Sequence, residues 1–390
     1  MSRSKIMLIA VLLIAVLTTA FVTYSFSLLN NNDNSRFSAS AQDKSSKTSP
    51  TTVFGGHGTG YNSITTDGDV IDSVNADERS TSDLDPMKYL REFNYGRVST
   101  TENGTTLRDF TIIVEDKTLE VSPGVFMDAW TYNGTIPAPT IRATEGDLVR
   151  INFINKGSHS HTMHFHGIHQ SDMDGVFEII APNGRFVYEF TAEPYGLFLY
   201  HCHLQPLELH IERGLYGVYI VDPKTPRPEA DEMVMVMNGY DNDFDTENNF
   251  YTVNGLPYYY MHHPIQIEKN KLVRVYLVNI LEFDQINNFH LHANLFQFYP
   301  TGTSLTPSEY TDVVTMSQGE RGILEFSYKY PGPYLFHAHK TEFAEKGWMG
   351  TFFVKEEQAE DSAALDNRAN STESNETESL QYTAGEGGNQ

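Results

Sequence analysis

The one cysteine of this 390-residue chain, Cys202, stands between two histidines, His201 and His203. A thiolate beside imidazoles suits copper or zinc. A lone cysteine excludes an intrachain disulfide and any zinc site built on two or four cysteines. His210 follows eight residues after Cys202, and His161, His164 and His166 form a dense group upstream. His161, Cys202 and His210 can supply the two imidazoles and one thiolate of a trigonal, redox-active copper site.

Side chains two apart on a strand share a face. His201 and His203 therefore face one way and Cys202 the other, so one short segment can feed two metal centres a few covalent bonds apart. The same rule puts His164 and His166 together. His290 with His292, and His337 with His339, repeat that spacing later in the chain. Eight imidazoles suit a cluster of three coppers at low coordination, provided that the two sets face each other. Zinc has no redox chemistry, so a thiolate joined to a histidine-rich centre favours copper. His159, His169, His262 and His263 fall outside this pattern and read as surface or supporting residues, and His57 as part of a Gly-rich linker.

The histidines sit in an internal repeat. Asn133-Gly-Thr-Ile-Pro137 is echoed by Asn254-Gly-Leu-Pro257, and Leu148–Asn155 by Leu272–Asn279. His164-Phe-His166 is echoed by His290-Leu-His292, and Gly214–Val221 by Gly347–Val354. Ala338 takes the place of Cys202, and Asn287 that of His161. Two copies of one domain follow, over 106–224 and 228–355, and the second lacks the thiolate centre. Alternating runs such as Arg150-Ile-Asn-Phe-Ile154, with recurrent Pro-Gly and Asn-Gly turns and no long amphipathic helix, predict an all-β sandwich for each.

The flanks differ from this core. Arg3 and Lys5 precede an apolar run from Ile6 to Val22. Residues 1–29 thus read as a membrane anchor or a cleaved signal peptide, with the anchor favoured and the rest extracytoplasmic. Residues 30–105 read as a disordered linker and 356–390 as an acidic disordered tail. The net charge of −24 argues against nucleic acid and anionic membrane surfaces, leaving membrane association to the N-terminal segment.

The segments HTMHFHG (161–167), LYHCHLQPLELHIERGLYG (199–217), NFHLHANLF (288–296) and FHAH (336–339) resemble the copper motifs of two-domain multicopper oxidases. YNGTIPAPTIRATEGDLVRINFIN (132–155) resembles the opening of their first domain. Copper nitrite reductases share the architecture and resemble the chain almost as closely. The resemblance implies tandem cupredoxin-like Greek-key β-sandwich domains, assembled as a homotrimer with the catalytic cluster between neighbouring chains. It assigns His161, Cys202 and His210 to a type 1 copper, with Leu215 in the axial position. Loss of an axial ligand would raise the potential of such a site. His164, His166, His201, His203, His290, His292, His337 and His339 would hold type 2 and type 3 coppers.

Nitrite reductases place a catalytic Asp where His164 stands, and need only the histidines matching His166, His201 and His337. The full set of eight favours reduction of dioxygen to water, with nitrite reduction to nitric oxide as the alternative. Asp174 matches an acidic residue near the cluster of the oxidases and is expected to relay protons; a plain turn Asp before Gly175 is its structural alternative. Asp172 and Glu178 could substitute for it, and Asp312 is a candidate acceptor for a metal-bound histidine. A phenol, a metal ion or a small copper protein would serve as electron donor. A pure electron carrier would not need the second-domain histidines, and a copper store would use many more Met and Cys.

Overall fold

The computed structural model describes residues 84–356. The expected anchor or signal segment, residues 30–83 of the expected linker, His57 and residues 357–390 of the expected tail lie outside the described residues. Among the described residues no helix is long and apolar enough to cross a membrane, and the longest helix has six residues.

Both repeats form two-sheet β-sandwiches. In the first, one sheet runs Phe93–Asn94, Ala138–Thr144, Tyr216–Asp222, Gly196–His201, His164–Phe165. The facing sheet is built on the long strand Thr106–Ser122 with Leu148–Asn155 and Arg185–Thr191. In the second, Met349–Lys355, Gly332–His337, Ile286–Leu291 and Val313–Ser317 form the sheet that carries histidines. The predicted alternation is realised: Leu148–Asn155 buries every second residue, with Val149, Ile151 and Phe153 in the core. Each domain has its own core, and a third apolar cluster joins them, pairing Leu197, Val218 and Ile220 with Val234, Tyr276 and Ile323. At its edge Arg142 bridges Asp222 of the first domain and Glu232 of the second, at 2.8 and 2.6 Å.

The expected linker ends earlier than residue 105. Pro86–Arg91 is helical, and Phe93–Asn94 and Arg97–Thr100 are strands. Leu84 and Leu90 are buried, the Tyr260 hydroxyl donates to the Pro86 carbonyl, and Arg91 pairs with Asp231. The apolar residues Leu84, Tyr89, Leu90 and Phe93 are too few to stand out against the polar composition around them. They suffice to staple this segment across both domains.

Candidate metal centres

The strand Gly196–His201 delivers the central motif, and its antiparallel partner sets His164 opposite His201. The regular strand ends at His201, yet the expected alternation continues through Cys202 and His203. His201 and His203 lie with their rings 5.8 Å apart, while Cys202 turns into the core.

On the core side, ligand atoms of His161, Cys202 and His210 lie within 4.8 Å of one another, all three buried. Cys202 Sγ is 3.2 Å from His210 Nδ1, and His161 Nδ1 is 3.3 Å from that same nitrogen. His161 Nε2 has no hydrogen-bond partner, which leaves Nδ1 as the atom turned toward the set. His210 comes from the short helix Leu207–Glu212, fixed behind the motif by the Cys202 amide donating to the Leu215 carbonyl. Leu215, which the resemblance put in the axial position, is fully buried in the same apolar cluster as Cys202. The Thr162 amide donates to Cys202 Sγ at 3.4 Å, and its hydroxyl accepts from the His203 amide at 2.8 Å. Burial pushes the Cys202 thiol up, against the opposing pull of these amides. A metal entering here must therefore displace that proton.

On the other side, His164, His166 and His201 form one compact set, and His203 joins through a ring contact of 5.1 Å with His164. His166 and His201 face each other through Nε2 atoms 3.3 Å apart. Two nitrogens at roughly 2.0–2.1 Å from a shared ion, at a near-tetrahedral angle, are separated by about that distance. The His201 Nδ1–H donates to the Cys202 carbonyl at 2.9 Å, leaving Nε2 for a metal. His164 Nδ1 donates to the Asp174 carbonyl at 2.8 Å and lies 3.1 Å from its carboxylate. Asp174 reaches His164 because Gly175, at φ +72°, passes so close to the Met163 carbonyl that a Cβ would sit 1.9 Å from it. His169, read as a surface or supporting residue, lies beside this set: its Nε2 donates to the Phe165 carbonyl and lies 3.7 Å from Asp174.

The second domain repeats the arrangement. His290 pairs with His337 across strands, as His164 does with His201. His292 and His337 face through Nε2 at 2.8 Å, His337 Nδ1 donates to the Ala338 carbonyl, and His339 lies 5.3 Å from His290. Asp312 plays the part of Asp174: its carbonyl accepts from His290 Nδ1 at 2.9 Å, with its carboxylate at 3.7 Å. The two trios, His164/His166/His201 and His290/His292/His337, are separate sets in one chain.

Burial is the first cause of the low basicity of these rings. It holds His161 and His166 down to about 3 and His201 and His210 down to about 4, and it lowers His164, His292 and His337. Neutral imidazoles are the form that binds metals. Two nitrogen donors with one thiolate, and two clusters of neutral imidazoles, fit copper.

Family models described as multicopper oxidase match residues 113–226 and 226–358. A crystal structure of a multicopper oxidase is 55% identical, covering 70% of this chain and 98% of that one, with a TM-score of 0.70. The chain belongs to the multicopper oxidase family. A copper nitrite reductase from Nitrosomonas europaea is 28% identical, covering 64% of this chain and 94% of that one, with a TM-score of 0.58. A copper-containing nitrite reductase of Neisseria meningitidis serogroup A is 27% identical over 266 residues, 62% of this chain and 67% of that protein. Copper is accordingly the cofactor of this multicopper oxidase chain.

Spacing alone did not expose Thr162 or Trp130. Trp130 lies against both His161 and His210, with ring centroids 5.2 and 4.8 Å apart. It lines a cleft of about 710 Å³ together with Asp116, Asp128, His159, His210 and Arg213. A further acidic group, Asp241, Asp243 and Asp245, crosses to this region from the second domain. The Asp241 carboxylate accepts the amides of Phe244, Asp245 and Thr246, which accounts for it as loop closure.

Proposed function

We propose that this chain takes electrons singly from a reducing donor and delivers them to dioxygen, with water as product. The carrying observation is the doubled four-histidine set: each domain presents four imidazoles in matched geometry, where a mononuclear site would need three in all. Copper, when bound, supplies the one-electron redox chemistry at both kinds of site. His161, Cys202 and His210 form the entry centre, next to the cleft where a donor meets Trp130. Cys202 joins that centre to His201 and His203 by its own backbone, and its carbonyl fixes the His201 ring. Asp174 orients His164 and, partly exposed at 31%, stands between solvent and the histidine set, where it relays protons.

Our reading of assembly is a homotrimer in which the four-histidine face of one chain meets the complementary face of the next. The separation of the two trios within a chain supports it. So do the exposed apolar residues flanking each set, Ile168, Phe177 and Ile179 near the first and Ile286, Leu295 and Tyr310 near the second. We read the folded part as extracytoplasmic, on the strength of the apolar run after Arg3 and Lys5.

A second reading, reduction of nitrite to nitric oxide, draws support from the relatives at 27% and 28% identity. Each trio also has the size of a three-imidazole, single-metal site. Copper per chain, measured with consumption of dioxygen and of nitrite from one reductant, separates the two. Four coppers with oxygen uptake are expected. Two coppers with nitric oxide release would replace the oxidase reading with the reductase.

A further inference from the structure

We infer that the second domain positions the type 1 centre of the first through Phe244, which clamps Arg213 over Trp130. The inference rests on the reading of His161, Cys202 and His210 as a type 1 site. Trp130 packs against both imidazoles of that site, edge-on to His161 and tilted to His210, and is itself buried. Over the indole lies the Arg213 guanidinium, 5.5 Å from the ring centroid, and the same guanidinium lies 4.7 Å from the ring of Phe244. A cation between two aromatic faces is held by both quadrupoles, and Arg213 also donates to the Asp128 carbonyl.

Phe244 is delivered by the loop that follows Asp231–Tyr240, and the loop is built to stay there. The Asp241 carboxylate accepts the Phe244 amide at 2.6 Å and the Thr246 amide at 2.8 Å. The Asp241 amide donates to Glu212, on the helix that carries His210, at 2.6 Å. Phe244 itself has φ 61°, a left-handed conformation that an aromatic residue adopts only when its surroundings impose it. This geometry sends a large apolar side chain outward, 54% exposed, with Arg213 as its partner. The second domain has the two inner layers of the same stack: Lys346 over Tyr251 at 5.7 Å, and Tyr251 on Phe343 at 3.8 Å. No third layer closes that stack among the described residues, and no metal ligand lies under it.

Two consequences follow. The stack restrains the imidazoles of His161 and His210. It also fixes one positive charge near the site, which disfavours the more highly charged oxidised metal and raises the potential, the same direction as Leu215.

The test uses the full chain with Phe244→Ala, Phe244→Tyr and Arg213→Met, none of which removes a ligand. In the copper-loaded protein, Phe244→Ala and Arg213→Met are expected to lower the type 1 potential and broaden the type 1 spectrum. Phe244→Tyr should restore both, and the double variant should go no further than either single. In the metal-free protein, acrylamide quenching of tryptophan should rise in Phe244→Ala; the other tryptophan, Trp348, is fully buried and stays silent. An unchanged potential in Phe244→Ala, with a normal type 1 spectrum, overturns the inference alone. Absence of a type 1 spectrum in the wild type overturns the reading of the site, and the quenching arm then decides on the clamp.

Discussion

The two domains carry the same pocket behind the same strand, and only the first keeps the side chains of a candidate metal site there. Backbone hydrogen bonds give the correspondence. The Cys202 amide donates to Leu215 as Ala338 does to Trp348, Leu215 to His210 as Trp348 to Phe343, and Trp130 to Arg213 as Tyr251 to Lys346. The ligands His161, Cys202 and His210 thus stand opposite Asn287, Ala338 and Phe343, and Leu215 opposite Trp348. All of these are buried. The second domain has Ala338 and Phe343 where the first has Cys202 and His210, and Asn287 where it has His161, within the same backbone hydrogen-bond pattern. On the other face both domains keep four histidines in nearly the same geometry. Among the described residues the cysteine-containing set occurs once, whereas the histidine face occurs in both domains.

The largest effect should come from the residue that distinguishes the pockets. Cys202→Ser is expected to remove the type 1 absorption and donor-driven turnover down to background, with copper still bound by the histidines. Metal analysis, visible spectra and oxygen uptake report this together. Full oxidase activity in that variant would break the division of labour between the two faces.

The converse change probes the filled pocket. Phe343→Ala removes a buried ring stacked on Tyr251 and should destabilise the protein by about 3–5 kcal/mol. Activity per folded molecule should stay within about twofold, well under the loss that one kcal/mol per missing catalytic contact would bring. Denaturant unfolding with active-site titration separates the two quantities. A large loss of turnover at unchanged stability would mean that the second pocket has a catalytic part.

Much of this was legible in the sequence, for a physical reason: strand alternation and repeat spacing fix which side chains share a face. The His-x-His pairs, the turn of Cys202 away from them, and the loss at Asn287 and Ala338 all followed from that rule. The counterpart of His210 did not. Counting eight residues from Ala338 lands on Lys346, because the segment from Ala338 to Gly347 is three residues shorter than that from Cys202 to Gly214. Only the hydrogen-bond register shows that Phe343 fills the position. Trp130 was hidden because its contact with His161 and His210 is long-range; Asp312 was named as an acceptor, and its hydrogen bond to His290 is made by the backbone carbonyl. The folded stretch from Leu84 was masked by its polar neighbours.

The pockets should also part under acid. In the metal-free protein the folded-state basicity of His161, His166, His201 and His210 lies below the ordinary value of about 6.5. The folded chain therefore binds fewer protons than the unfolded one. The associated stability is complete above pH about 6.5 and is lost as the pH falls toward 4 and then 3. The second-domain trio is only partly buried, whereas the thiolate-centre ligands are fully buried. Hydrogen exchange at pH 7 and at pH 4.5 should show the first domain losing protection first, and copper should suppress the difference. Equal loss in both domains would contradict the assignment of burial as the cause.

The smallest predicted difference lies between the two aspartates. Both carbonyls hold the Nδ1–H of a leading histidine, at 2.8 Å for Asp174 and 2.9 Å for Asp312. A side-chain substitution leaves those acceptors in place, so neither histidine should lose its tautomer. The carboxylates differ. That of Asp174 is 3.1 Å from His164 and 31% exposed, with His169 3.7 Å from the same oxygen; that of Asp312 is 3.7 Å from His290 and 56% exposed. Asp174→Asn should lower turnover by about 10–100-fold, the range seen when a partner of a metal-bound histidine is removed, and Asp312→Asn by less than about tenfold. Copper content should be equal in the two variants. If proton delivery is the function of Asp174, its deficit should shrink as the pH is lowered, since protons then reach the site without a relay, while the Asp312 deficit should stay constant. A parallel pH response in both would reduce Asp174 to an orienting residue, and the histidine faces would then be equivalent in chemistry as well as in geometry.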